Sequence, residues 1–155
     1  MKNYKKEVLN LINRVVSYKR IAGNTIILYF DGKPGEDNTK SIWIDPAWRY
    51  EFRKKYIIGS EDFPWEKEKG QTLDEFNRIF ENQCKKTDKL IGSTVIDLKI
   101  DDVSNDIVLF FENHQIIRKV QSSLNFEGWV YRDHSRNLKI MAFVDHLEGV
   151  TENDR

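Results

Sequence analysis

The sequence predicts an α+β fold in which two αβββ-like repeats form a mainly antiparallel β-sheet core with two packed helices. Three observations carry this expectation. The chain repeats itself: Leu11-Ile12-Asn13-Arg14-Val15-Val16 lies beside Leu90-Ile91-Gly92-Ser93-Thr94-Val95, and after a two-residue shift Asn24-Thr25-Ile26-Ile27-Leu28-Tyr29-Phe30 lies beside Asn105-Asp106-Ile107-Val108-Leu109-Phe110-Phe111. Each copy opens with apolar residues at helical spacing. Each then carries a short run that is apolar on both faces, as a strand covered from both sides would be. The repeats span about 1–58 and 72–144 of the 155 residues, joined by a loop at 59–71 and followed by a tail at 145–155, all in one domain.

The elements follow in order. Tyr4, Val8, Leu11 and Val15 recur on one helical face and predict the first helix. Thr25–Phe30 is the first central strand, and the turn-rich DGKPGEDNTK links it to a hairpin partner at 41–44. A strand pair is expected within 49–58, where Trp48-Arg49-Tyr50-Glu51 is set beside Leu124-Asn125-Phe126-Glu127. In this register Trp43 falls opposite Lys119 and is read as outward, although Ile42 then falls opposite Arg118. The second helix is predicted over 73–89: Thr72 and Glu75 form a capping box, Leu73, Phe76, Phe80 and Cys84 form an apolar stripe, and Lys85, Lys86 and Lys89 suit the negative end of the dipole. Ile107–Phe111 is the second central strand, paired through Glu112-Asn113-His114 with 115–120. Strands at 128–131 and 138–144 follow, and the polar tail DHLEGVTENDR is expected to fray.

Composition narrows the function. Basic and acidic residues balance at 25 each, which argues against a protein whose main task is neutralising nucleic-acid phosphates. The balance is uneven along the chain: residues 1–89 hold 18 Lys or Arg against 14 Asp or Glu, and residues 90–155 hold 7 against 11. The halves therefore differ by +4 against −4, read either as two solvated surfaces or as an acidic patch turned to a partner. No apolar run approaches the roughly 20 residues of a membrane-spanning helix. The start, MKNYKKEVLNLINRVV, is interrupted by Asn10, Asn13 and Arg14 where a secretory signal needs a continuous apolar core, so a cytoplasmic chain is expected. The single cysteine, Cys84, excludes an internal disulfide and a cysteine-based zinc module.

Chemistry-bearing motifs are missing. Neither phosphate-binding glycine loop nor the nucleophile elbow occurs. His114, His134 and His146 fall in two turns and the tail without metal-ligand spacing, and Cys84 sits on an apolar stripe as a small hydrophobe. No catalytic residue, metal ligand or cofactor is assigned. Asp97, Asp101, Asp102 and Asp106 cluster along a strand and its turn, either as a solvent-facing edge or as a contact surface for a basic partner. Trp65, after Pro64, either caps the core or anchors an interface. Trp43 with Arg49, Arg53, Lys54 and Lys55 offers a second reading, a nucleic-acid-associated or regulatory domain.

The segments LIGSTVIDLKI and NDIVLFFENHQIIRKV, closed by FEGWVY, resemble a group of small bacterial two-repeat β-rich proteins, some of which are immunity proteins of polymorphic or contact-dependent growth inhibition toxin systems. The agreement covers 90–131, where Glu127-Gly128-Trp129 is similar to the E-[AG]-W signature closing that group's second repeat. The first copy matches in pattern, and its DGKPGEDNTK loop departs from the shorter hairpin of the group. The resemblance implies a non-enzymatic protein that binds and neutralises a cognate toxin domain, with no small-molecule substrate and no membrane, and with an architectural Glu-Gly-Trp segment. A nuclease-like toxin with a cationic cleft would meet Asp97, Asp101, Asp102 and Asp106, with Trp65 as anchor. Binding through the variable loop would instead use Glu36 and Asp37.

Overall fold

Local signals decide where each helix begins and how far it runs. In the computed structural model, which describes residues 2–121 and 123–151, Asn3 Oδ1 accepts from Lys6 N at 3.1 Å and caps α1, Tyr4–Val8. A 3-10 turn, Leu9–Leu11, follows. The helical face read through Val15 ends early: Asn13 takes a left-handed conformation, φ 72°, and Val15 is exposed in a bridge to Thr94. In α2, Leu73–Lys85, Thr72 Oγ1 accepts from Glu75 N and the Glu75 carboxylate accepts from Thr72 N, both at 3.1 Å. This reciprocal pairing satisfies two otherwise orphaned donors. The helix stops at Lys85 rather than continuing to 89, because Asp88–Leu90 tighten into a 3-10 turn. It buries no side chain fully and is held along one edge, where Phe80 packs against Phe63 at 5.7 Å and Phe63 against Trp48 at 5.9 Å.

The described residues also form eleven strands: β1 Val16–Ala22, β2 Thr25–Phe30, β3 Lys40–Ile44, β4 Trp48–Phe52 and β5 Lys55–Gly59 in the first copy, then β6 Val95–Ile100, β7 Ile107–Phe111, β8 Gln115–Lys119, β9 Trp129–Asp133, β10 Leu138–Ala142 and β11 Leu147–Thr151. The α+β class holds, with five strands in each repeat and an eleventh, β11, in the stretch read as the tail. One antiparallel sheet runs β1-β2-β3-β9-β10-β11 and the other β5-β4-β8-β7-β6. The repeats have exchanged strands. Strands β1–β3 of the first copy are completed by β9 and β10 of the second, and β6–β8 of the second by β4 and β5 of the first. One apolar core lies between the inner faces, built from residues such as Leu28, Ile42, Leu109, Ile117 and Trp129.

The exchange follows a two-fold pattern down to single hydrogen bonds. Trp48 Nε1 donates to Asn24 O at 2.7 Å, and Trp129 Nε1 donates to Asn105 O at 2.8 Å. The connections between sheets also bond reciprocally, Asp45 N to Gly128 O at 2.9 Å and Val120 N to Ala47 O at 3.2 Å. Trp48 is therefore the counterpart of Trp129, not of Leu124, and Leu124 and Phe126 are exposed. The strand pairings match Trp43 to Arg118 and Ile44 to Lys119, one residue from the register expected above. The physical reason lies in two loops. The β2–β3 connection, 31–39, outlasts its counterpart 112–114 by as much as the crossover 120–128 outlasts 45–47, so the offset shifts and then recovers. Since a one-residue slip reverses every side chain, the corrected register puts Lys119 inside, 2 % exposed, with its Nζ donating to Pro46 O. Burial pushes that amine down to about 8, with Asp45 and Asp106 pulling it back toward its ordinary value.

The tail was expected to fray from 145 onward. Leu147–Thr151 instead form β11, in register with β10 from Ala142↔Leu147 to Leu138↔Thr151, because β10 offers an unpaired edge and Gly149 admits the Tyr4 ring. Residues 152–155 lie outside the described part of the chain.

Candidate binding face

The outward side chains of each sheet define much of what the described residues show. Strand alternation and register give the six-stranded sheet two outward rows. One crosses Tyr18, Tyr29, Ser41, Arg132, Lys139 and Val150, and the other crosses Arg20, Ile27, Trp43, Val130, Met141 and Glu148. At the centre the Arg132 guanidinium carbon lies 5.5 Å from the Trp43 ring centroid, a cation–π contact between neighbouring strands. Tyr18 meets Tyr29 edge-to-face at 5.6 Å. Trp43 is 37 % exposed while Ile27, Tyr29 and Val130 are buried beneath the longer side chains, which makes a rigid platform with a projecting indole.

Two hollows flank that pair. A cavity of about 310 Å³ is lined by Thr25, Trp43, Asp45, Glu127, Arg132 and Lys139, and one of about 230 Å³ by Tyr29, Pro34, Gly35, Trp43, Arg132 and His134. Thr25 Oγ1 donates to Asp45 Oδ1 at 2.5 Å, so one wall of the larger hollow is already hydrogen-bonded.

The five-stranded sheet carries the corresponding rows with different chemistry. Arg49 Nε and Arg118 Nε each donate to Glu51 Oε2 at 2.8 Å. Burial pushes the Glu51 carboxyl up, but these two hydrogen bonds outweigh it and hold the group below its ordinary value. Lys99 lies over Phe110 at 5.3 Å. By the repeat register, Trp43 and Arg132 occupy the positions of Arg118 and Glu51, and Tyr18 that of Asp97. At these positions the five-stranded face carries the carboxylates of Glu51 and Asp97, and the six-stranded face carries Arg132 and Tyr18.

The residues singled out from sequence fall in separate places. Asp101 and Asp102 stand in the β6–β7 turn, Trp65 in the inter-repeat loop, and Glu36 and Asp37 in the β2–β3 loop. Asp101 Oδ1 accepts from Ser104 N at 2.9 Å and Val103 N at 2.8 Å, which holds its carboxyl below the ordinary value, and Asp102 pairs with Lys5 at 2.7 Å. Asp106 is committed inward, accepting from Gln121 N at 2.6 Å, and Asp97 accepts from Leu98 N at 2.8 Å. Of the four aspartates, Asp101 and Asp102 are exposed in the turn, while Asp97 and Asp106 are half-buried and bonded to backbone. A bulge between Val95 and Asp97 leaves Ile96 unpaired and exposed. Trp65 is 69 % exposed and does not cap the core, while Glu36 folds its carboxylate back over Gly32.

Arg49, Arg53, Lys54 and Lys55 belong to β4, its turn and β5 in the other sheet, so they do not assemble with Trp43. His114 and His134 are exposed in turns, His146 stacks on Phe143 at 4.6 Å, and Cys84 is half-buried with its thiol pushed up by burial. Among the described residues, no three His, Cys, Asp or Glu side chains gather as a metal ion would need, and no helix is long and apolar enough to cross a membrane. Arg132 went unnoticed in the sequence because its role depends on β9 lying beside β3, a pairing that spacing along the chain does not encode. The chain matches no family model, no curated protein and no solved structure.

Proposed function

We propose that this chain is a non-enzymatic immunity protein that acts in the cytoplasm by binding and neutralising a cognate toxin domain. The observation that carries the reading is the Trp43–Arg132 pair, an exposed indole beside a half-buried guanidinium on the outer face of the six-stranded sheet. Tryptophan and arginine dominate the energetics of protein interfaces, and a sheet-borne anchor loses little entropy when it binds. The resemblance of 90–131 to two-repeat immunity proteins supports the same reading. So does the local role of the Glu127-Gly128-Trp129 segment, in which Gly128 lets Gln121 and Lys119 close in while Trp129 fills the core.

If a large secreted protein with a toxic C-terminal domain is encoded beside this gene, co-expression with that domain tests the proposal. Growth should be restored by the wild-type chain, and the two purified proteins should form a stoichiometric complex. Continued growth arrest together with no complex refutes it.

A further inference from the structure

We propose that the end of the five-stranded sheet where the β4–β5 turn meets the β7–β8 turn is a second contact surface, and that it docks an acidic protein segment. This surface goes beyond the neutralisation reading and does not rest on it. Arg53 and Lys54 form the two-residue β4–β5 turn, and Arg53 N donates to His114 O at 3.0 Å, which ties the two turns together. The Arg53 guanidinium carbon lies 5.1 Å and Lys89 Nζ 4.2 Å from the centre of the Phe52 ring, while Lys55 is paired across the strands with Phe52. All four cations are exposed, and none of them forms an ion pair among the described residues. The carboxylates nearest them in sequence face other groups: Glu51 accepts from Arg49 and Arg118, Asp88 pairs with Lys19 at 2.6 Å, and Glu112 accepts from Thr94 N at 3.1 Å. Like charges gathered without a counter-charge repel one another, and an anionic partner relieves that repulsion.

The repeat-related end of the six-stranded sheet is self-sufficient by comparison. There Arg14 and Lys40 pair with Asp31, and Arg136 pairs with Glu7 and Asp133. With Leu11 matched to Leu90 and Trp48 to Trp129, the counterparts of Glu7 and Asp133 are Lys86 and Phe52, so the two acids that hold Arg136 have no equivalent here. The backbone of the turn points the same way. Arg53 and Lys54 both take positive φ, 50° and 62°, in a two-residue hairpin turn that Asn-Gly fills most readily, because a Cβ disfavours left-handed backbone. Two long cations thus stand at the turn at a conformational cost, although neither fills the core nor makes an ion pair. They share with His114 a hollow of about 360 Å³ whose lining holds no carboxylate, room for one or two acidic side chains. The cations gather around one ring instead of running along a groove, and Phe52, packed against the core and beneath two of them, is no platform for stacking a base. Protein carboxylates therefore fit this surface better than a phosphate chain.

Two probes test the intact chain. Titration of isotope-labelled protein with hexaglutamate should shift the amide signals of Arg53, Lys54 and His114, with affinity falling as salt is raised. No shift, or shifts confined to other surfaces, overturns the proposal, and a stronger response of the same amides to hexathymidylate replaces the acidic segment with nucleic acid. Arg53→Asn with Lys54→Gly gives the turn its favoured residues, so this variant should unfold at no lower urea concentration than the wild type while binding hexaglutamate about tenfold more weakly. Lys89→Glu, on a different element, should weaken binding by about the same factor and keeps the test decisive if the turn variant misfolds. Wild-type affinity in both variants overturns the surface. Lys67→Glu with Lys69→Glu, in the exposed inter-repeat loop, should stay within about twofold of the wild type. A loss there equal to that of the turn variant shows diffuse charge attraction and overturns a defined docking site.

Discussion

Lys119 is a cation where its counterpart in the first repeat is Ile44, and the difference has a thermodynamic signature. Its folded pKa, about 8, lies below the 10.5 of the ordinary amine, so between those pH values the folded chain binds fewer protons than the unfolded chain. Stability therefore rises as pH increases through that window. Urea unfolding at about pH 7 and about pH 10 should show wild type gaining at most about 3 kcal/mol relative to Lys119→Met. Parallel curves for the two proteins would exclude a depressed pKa. A second residue-scale expectation concerns Gly128, where a Cβ would lie 1.6 Å from Gln121 Oε1 and 2.8 Å from Lys119 Cε. Gly128→Ala must displace Gln121 from its 3.0 Å bond to Ala142 O and should cost about 1–3 kcal/mol, read from the urea midpoint. The need for glycine at 128 was not legible in the sequence, because the crowding Gln121 and Lys119 side chains are brought there by a crossover whose path no local pattern specifies.

Elements differ in how firmly they are tied down. Strands β2 and β7 lie inside their sheets with Leu28 and Leu109 fully buried, so Leu28→Ala or Leu109→Ala should each cost about 2–5 kcal/mol in denaturation experiments. Helix α2 is the contrasting case, since it has a complete capping box and no fully buried residue. Thr72→Ala should weaken the helix by about 1 kcal/mol, seen as faster amide exchange within Leu73–Lys85 while protection in β2 and β7 is unchanged. Equal acceleration in the strands would show that α2 is integral to the global unit. Capping chemistry and two-sided apolar runs are local, which is why these elements were legible. The bulges at Ser17 and Ile96 were not, because inserting one unpaired residue leaves a run of strand-forming residues looking continuous.

For the whole molecule, periodicity identified strands and repetition identified two copies, while pairing across copies was invisible to both. The same blindness misled the charge argument. A basic first half and an acidic second half suggest two oppositely charged surfaces only if each half keeps its own sheet, and here both sheets contain strands from both halves. The outer rows of the six-stranded sheet take Arg20 from the basic half and Arg132 and Lys139 from the acidic half. The strand exchange also determines what happens if the chain is cut. A single nick in the exposed loop at 66–69 severs no sheet pairing, so a nicked protein should remain assembled at native concentration, its two pieces interlocked through β3–β9 and β4–β8. Each purified piece would lack the strands that complete its sheet and should be unfolded alone by circular dichroism, with native signal returning on mixing. Folding would then have become a bimolecular reaction with a measurable dissociation constant, and any surface built from both sheets would exist only where the two inert polypeptides meet.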